Sequence, residues 1–107
     1  MNKKALLFYN KNLSNLMQAK IIDKLCKKIN LKTSVYVGTG SFRTCICSDC
    51  RMVKFYMEKG YYLIAGFYDN NYGLRFRNKS EWQSILVFLG PNYSFDERLG
   101  YLFYKNE

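Results

Sequence analysis

The chain has 107 residues, 49% hydrophobic and 18% aromatic, and its 17 lysines and arginines against 8 acidic residues give a formal charge of +9. That length fits a single domain, residues 1–107, with enough apolar mass to fold without disulfide staples. The charge excludes an acidic mimic of nucleic acid. The absence of histidine excludes Ser-His and Cys-His nucleophilic catalysis and removes the commonest general base.

Residues 5–9 form a short apolar run that reads as a strand. Lys3 and Lys4 precede it, and the run is too short for a secretory signal. A helix follows over about residues 12–30, with Asn12 or Ser14 placed to accept the free amide hydrogens of its first turn. At 100° per residue Ile21, Ile22, Leu25, Cys26 and Ile29 gather on one side, with Cys26 at the edge of the stripe. Lys20, Lys24, Lys27 and Lys28 gather on the other side, and Asp23 and Lys27 form an i,i+4 pair.

From residue 33 to 77 the pattern turns to period two, and predicts strands near 33–37, 42–48, 51–58, 61–68 and 73–77. Gly38-Thr39-Gly40-Ser41, Lys59-Gly60 and the stretch 69–73 supply the turns. A second helix is marked by the capping-box pattern Ser80-Glu81-Trp82-Gln83, has Trp82, Ile85, Leu86 and Leu89 as its buried stripe, and stops at Gly90-Pro91. Residues 92–107 fit a closing strand at 101–104 or a short helix. The expected fold is α+β, an antiparallel sheet of about five strands with an N-terminal helix and a second helix packed on it. No apolar stretch is long enough to span a membrane, and the chain reads as cytoplasmic, where thiols stay reduced.

Three of the four cysteines lie in Cys45-Ile46-Cys47-Ser48-Asp49-Cys50. Zinc takes four ligands in a tetrahedron with sulfur at about 2.3 Å, and Cys47-x-x-Cys50 has the spacing of a zinc knuckle. On a strand Arg43, Cys45 and Cys47 share one face. Cys26 is the expected fourth ligand if the first helix packs over that face, with Asp49 or a partner's ligand as the fallback. Such a closed thiolate site is structural and leaves no place for a reacting water. The competing reading is ordinary buried thiols, since cysteine packs as a small hydrophobe. Redox chemistry ranks last, because a reactive Cys-x-x-Cys pair draws on a helix N-terminus and this one is expected in a strand-to-strand turn beside Asp49.

Two surfaces suit a partner. One is the stripe Lys20, Lys24, Lys27 and Lys28. The other is a sheet face carrying Arg75 and Arg77, joined by Lys54 and Tyr56 near Tyr62 and Tyr68, a composition that binds single-stranded nucleic acid through stacking and phosphate contacts, and Arg43 is a further expected partner-binding residue. The carboxylates are scattered, only Asp96 and Glu97 being adjacent, and no enzyme is expected. The small single domain, the lack of catalytic groups, the AT-rich flavour of its Asn, Lys and Tyr usage and a zinc staple together resemble the small phage-encoded anti-CRISPR proteins. That resemblance is one of type and carries no motif. It implies binding to a Cas effector, Cas9 among them, and blockage of guide or target engagement. The alternative is a basic nucleic-acid-binding accessory protein using the Arg/Tyr face.

Overall fold

A computed structural model describes residues 3–10, 12–38, 42, 44–69, 74, 75, 83 and 85–105. In chain order they form β1 (Lys3–Tyr9), α1 (Leu13–Lys28), β2 (Lys32–Val37), α2 (Ser48–Glu58), β3 (Tyr61–Asp69), the two-residue β4 (Leu74–Arg75), β5 (Tyr93–Asp96) and β6 (Tyr101–Lys105). The sheet runs β2-β1-β3-β6-β5, with β4 paired to β3 beyond the end of β6. The fold is α+β, as expected. The sheet is mixed, because β1 and β2 are parallel while the other pairs are antiparallel. The 16-residue α1 is the reason: it carries the chain back to the starting edge, and a crossover of that length sets adjacent strands parallel.

Asn12 caps α1, its Oδ1 accepting the N–H groups of Ser14 at 3.0 Å and Asn15 at 3.4 Å. The helix buries Asn15, Ala19, Ile22 and Cys26. Ile21 and Ile29, expected in the stripe, are 44% and 39% exposed. The contact line passes through the small Ala19, which lets the helix approach the sheet, and Cys26 lies on that line instead of at its edge. The Asp23–Lys27 pair forms at 3.0 Å. The Thr33 hydroxyl also donates to Asp23 at 2.8 Å and ties the helix to β2. Partial desolvation works to raise the Asp23 pKa, but the hydrogen bonds from Thr33 and Lys27 outweigh it and hold the carboxyl below its ordinary value.

The two faces of the sheet are covered by different helices. Ala5, Leu7, Ile64, Ala65, Phe67 and Leu102 pack with Ala19, Ile22 and Cys26 of α1. Phe8, Leu63, Tyr101 and Phe103 pack with Val53 of α2. Strand alternation divides the residues this way, with one exception. The pairing of β3 with β6 shifts register between Leu63 and Ala65, and the extra residue, Ile64, joins Ala65 on the α1 face. After the bulge the parity is inverted.

Two expected strands are absent. Residues 51–58 lie in α2, and Phe42 and Thr44 are helical with Cys45 and Ile46 irregular after them. Within 51–58, Met52, Val53, Tyr56 and Met57 recur at helical spacing, and only Val53 is β-branched, so the aromatic content is what suggested a strand. Gly60 accordingly closes a helix and not a hairpin. Its φ of 92° turns the chain out of the helix, and its N–H donates to the Met57 carbonyl at 3.0 Å. The strand expected at 73–77 is described only at Leu74–Arg75. The second expected helix is helical at Gln83, Ile85 and Leu86, with Ile85 buried on the α1 face. Its capping box at Ser80-Glu81-Trp82 lies outside the described residues, as do most of the two remaining turns. The closing strand of the C-terminal segment is β6.

Asp96 organises the last hairpin. Its Oδ1 accepts the N–H groups of Arg98 at 2.9 Å and Leu99 at 3.1 Å, and its Oδ2 accepts the Tyr56 hydroxyl at 2.7 Å. A buried carboxylate is thereby satisfied, and α2 is fastened to the β5–β6 turn. Partial burial, then the Asp96 hydrogen bond and charge, push the Tyr56 phenol up to about 12.

Candidate metal centre

Cys47 is the N-cap of α2. It has the extended backbone of a cap, φ −66° and ψ 163°, and its sulfur accepts the Cys50 N–H at 3.4 Å. A thiol thus stands where Ser, Thr, Asp or Asn usually accepts that hydrogen bond. One turn of helix brings Cys50 back beside it. From the irregular segment before the helix, Cys45 Sγ donates to Cys47 Sγ at 3.1 Å. The sulfurs of Cys45, Cys47 and Cys50 all lie within 4.8 Å of one another, so one ion can touch all three; sulfurs sharing a tetrahedral zinc are about 3.8 Å apart.

The segment is held by Lys54, two turns into α2, whose Nζ donates to the Cys45 carbonyl at 2.8 Å. Cys47 is exposed, while Cys45 and Cys50 are half-buried. The hydrogen bond from Cys45, followed by the Cys50 N–H, brings the Cys47 thiol down to about 7. Partial burial, followed by the neighbouring sulfurs, pushes Cys50 up to about 12. Metal binding displaces thiol protons, so a cation held here would be bound as a thiolate complex.

Cys26 does not join this group. It is fully buried among Ala5, Leu7, Ala19 and Ile22, on the opposite face of the sheet from α2. Burial, then the Asp23 charge, push its thiol up to about 12. The expectation that α1 covers the cysteine-rich segment is therefore corrected: α1 covers the other face. Among the described residues no fourth Cys, Asp or Glu places a ligand atom in the group. The expected strand-to-strand turn is also corrected. Cys47-x-x-Cys50 opens a helix and so has the helix N-terminus it was expected to lack, while Asp49 stays beside it in the first turn.

The other expected binding residues are dispersed. Lys20, Lys24, Lys27 and Lys28 are exposed along α1, with Lys27 paired to Asp23. Lys54 lies on α2, bound to the Cys45 carbonyl, and not on a sheet face. Arg75 pairs with Tyr68 through the β4 backbone, and Arg43 and Arg77 lie outside the described residues. The Arg/Tyr face is not assembled by its tyrosines: Tyr56 stacks on Phe103 at 4.1 Å, and the Tyr68 and Tyr101 hydroxyls share a hydrogen bond of 2.7 Å beneath α2. The bulge at Ile64 sets Tyr62 and Tyr68 on opposite faces.

One feature of the site was missed in the sequence. Ser48, Asp49, Arg51 and Met52 of α2, with Arg98 and Leu99 from the β5–β6 turn, line an open cleft of about 510 Å³. It begins at the two residues that separate Cys47 from Cys50. Helical reading of residues 48–58 would have placed Arg51 there, but Arg98 arrives only through the Asp96 turn.

No protein-family model, curated protein or solved structure matches the chain. No helix among the described residues is long and apolar enough to cross a membrane.

Proposed function

We propose that this protein is a non-enzymatic, stoichiometric binding protein of the cytoplasm whose three clustered cysteines hold zinc. The observation that carries the metal reading is the convergence of Cys45, Cys47 and Cys50 within 4.8 Å. Thiolates select soft or borderline ions, and zinc accepts such a set without redox change. The fourth position falls to water, to a small ligand or to a side chain of the bound partner. Zinc here fastens the segment before α2 to the first turn of that helix, and leaves α1 free to present Lys20, Lys24 and Lys28.

The partner is a protein or ribonucleoprotein with an acidic surface, which a chain of +9 is drawn to by long-range attraction. The resemblance in type to small inhibitors of bacterial immunity makes a Cas effector the first target to test. Native mass spectrometry with and without chelator tests the metal: one zinc per chain, removed by chelator, is expected, and an apo mass from freshly reduced protein overturns it. Addition at equimolar ratio to a Cas ribonucleoprotein tests the target, with loss of target binding expected and unchanged cleavage counting against it.

A further inference from the structure

The same cysteines have a geometry that metal binding does not require. Cys47 is exposed, its sulfur touches Cys45 Sγ at 3.1 Å, and the cleft beginning at Ser48 carries two arginines, Arg51 and Arg98, against one aspartate, Asp49. An attacking sulfur and a resolving sulfur are thus in contact, and a cleft with more cationic than anionic side chains starts at the residue that follows Cys47.

We infer that the metal-free protein undergoes thiol–disulfide exchange with anionic low-molecular-weight disulfides, with Cys47 as the attacking thiol and Cys45 as the resolving thiol. In the first step Cys47 releases its proton to solvent and attacks one sulfur of the disulfide. A Cys47 mixed disulfide forms, the small molecule's S–S bond breaks, and one thiolate leaves and takes a proton. In the second step Cys45 releases its proton and attacks the Cys47 sulfur. The Cys45–Cys47 bond forms and the second small thiol leaves. The small disulfide is reduced by two electrons to two thiols, and the two cysteines supply those electrons.

Exposure assigns the first role to Cys47, since an incoming disulfide must reach the attacking sulfur in line. Contact assigns the second to Cys45, whose sulfur is already against Cys47. Cys50 sits one helical turn on, with its N–H directed at the Cys47 sulfur, where it supports the thiolate. Cys26, buried on the other face, takes no part. The reaction is stoichiometric. It and zinc compete for the same sulfurs, but neither requires the other.

The test is to treat chelated, reduced protein with glutathione disulfide, quench by alkylation and map the cysteines by mass spectrometry. The expected product is a Cys45–Cys47 disulfide with Cys26 and Cys50 alkylated, accompanied by two equivalents of free glutathione. C45S is expected to stop at a stable glutathione adduct on Cys47, and C47S to form neither product. Glutathione disulfide is expected to react severalfold faster than the cationic cystamine. A Cys47–Cys50 disulfide, a persistent adduct in the unmutated protein, or reaction of C47S at an unchanged rate would overturn the assigned roles. Equal rates for the two small disulfides would overturn the substrate class. A protein that passes this test yet never retains zinc defeats only the metal reading, and the reverse result defeats only this one.

Discussion

The two faces of the sheet hold cysteines under opposite physical conditions. On the α1 face Cys26 is buried in a largely aliphatic cluster that also holds Phe67, its thiol pushed up to about 12 by burial and then the Asp23 charge, and it behaves as a small apolar residue. On the α2 face the core is aromatic, with Phe103 in contact with both Tyr56 and Tyr101. That core carries a helix whose N-terminus holds three thiols near solvent. A cysteine's chemistry therefore follows from what its element rests on. A helix packed along its length hides its thiol, whereas one that opens at the rim of the core presents its first turn.

The strongest way to break this contrast is to undermine the aromatic face. Phe103→Ala removes the ring stacked on Tyr56 and is expected to cost about 3–5 kcal/mol, measured by urea unfolding. A loss near that of a surface substitution would show that α2 does not depend on that face. Cys26→Ser comes next. A hydroxyl among Ala5, Leu7 and Ile22 is expected to cost about 1–3 kcal/mol and to leave metal content unchanged. Loss of metal with retained stability would make Cys26 a ligand after all.

Lys54→Met sharpens the description of the thiol site itself. Releasing the Cys45 carbonyl is expected to weaken metal affinity about tenfold, in the manner of residues that orient ligands, and to change stability by about 1 kcal/mol or less. Competition with a chromogenic chelator measures the first effect and thermal melting the second. The smallest effect is on rates. In metal-free protein Cys47, at about 7, is partly ionised near neutrality, while Cys50, at about 12, is protonated. Iodoacetamide should label Cys47 first. As pH falls from about 8 to about 6 the thiolate is reprotonated, and that rate should drop roughly tenfold. Cys50 labelled as fast as Cys47 would contradict the asymmetry.

How much of this was legible in the sequence depends on how local each signal is. Asn12 as a cap, α1 with its Asp23–Lys27 pair, β2, and the strand that became β3 were readable, because each is decided by residues within a few positions. Helix α2 was misread. Its aromatics suit either state, and whether Val53 and Tyr56 pack as helix or strand depends on Asp96 and Phe103, both distant in the sequence.

By itself the sequence determined an α+β chain with no histidine, a strong positive charge and three thiols too close together to ignore. The tertiary structure decided which thiols meet. A βαβ crossover placed α1, and Cys26 with it, on one face of the sheet. Burial of Val53 against the aromatic core placed α2 on the other, and turned Cys47 from a strand residue into a helix cap. Spacing along the chain limits which sulfurs can approach, but the face on which each lies is fixed by burial against residues distant in sequence.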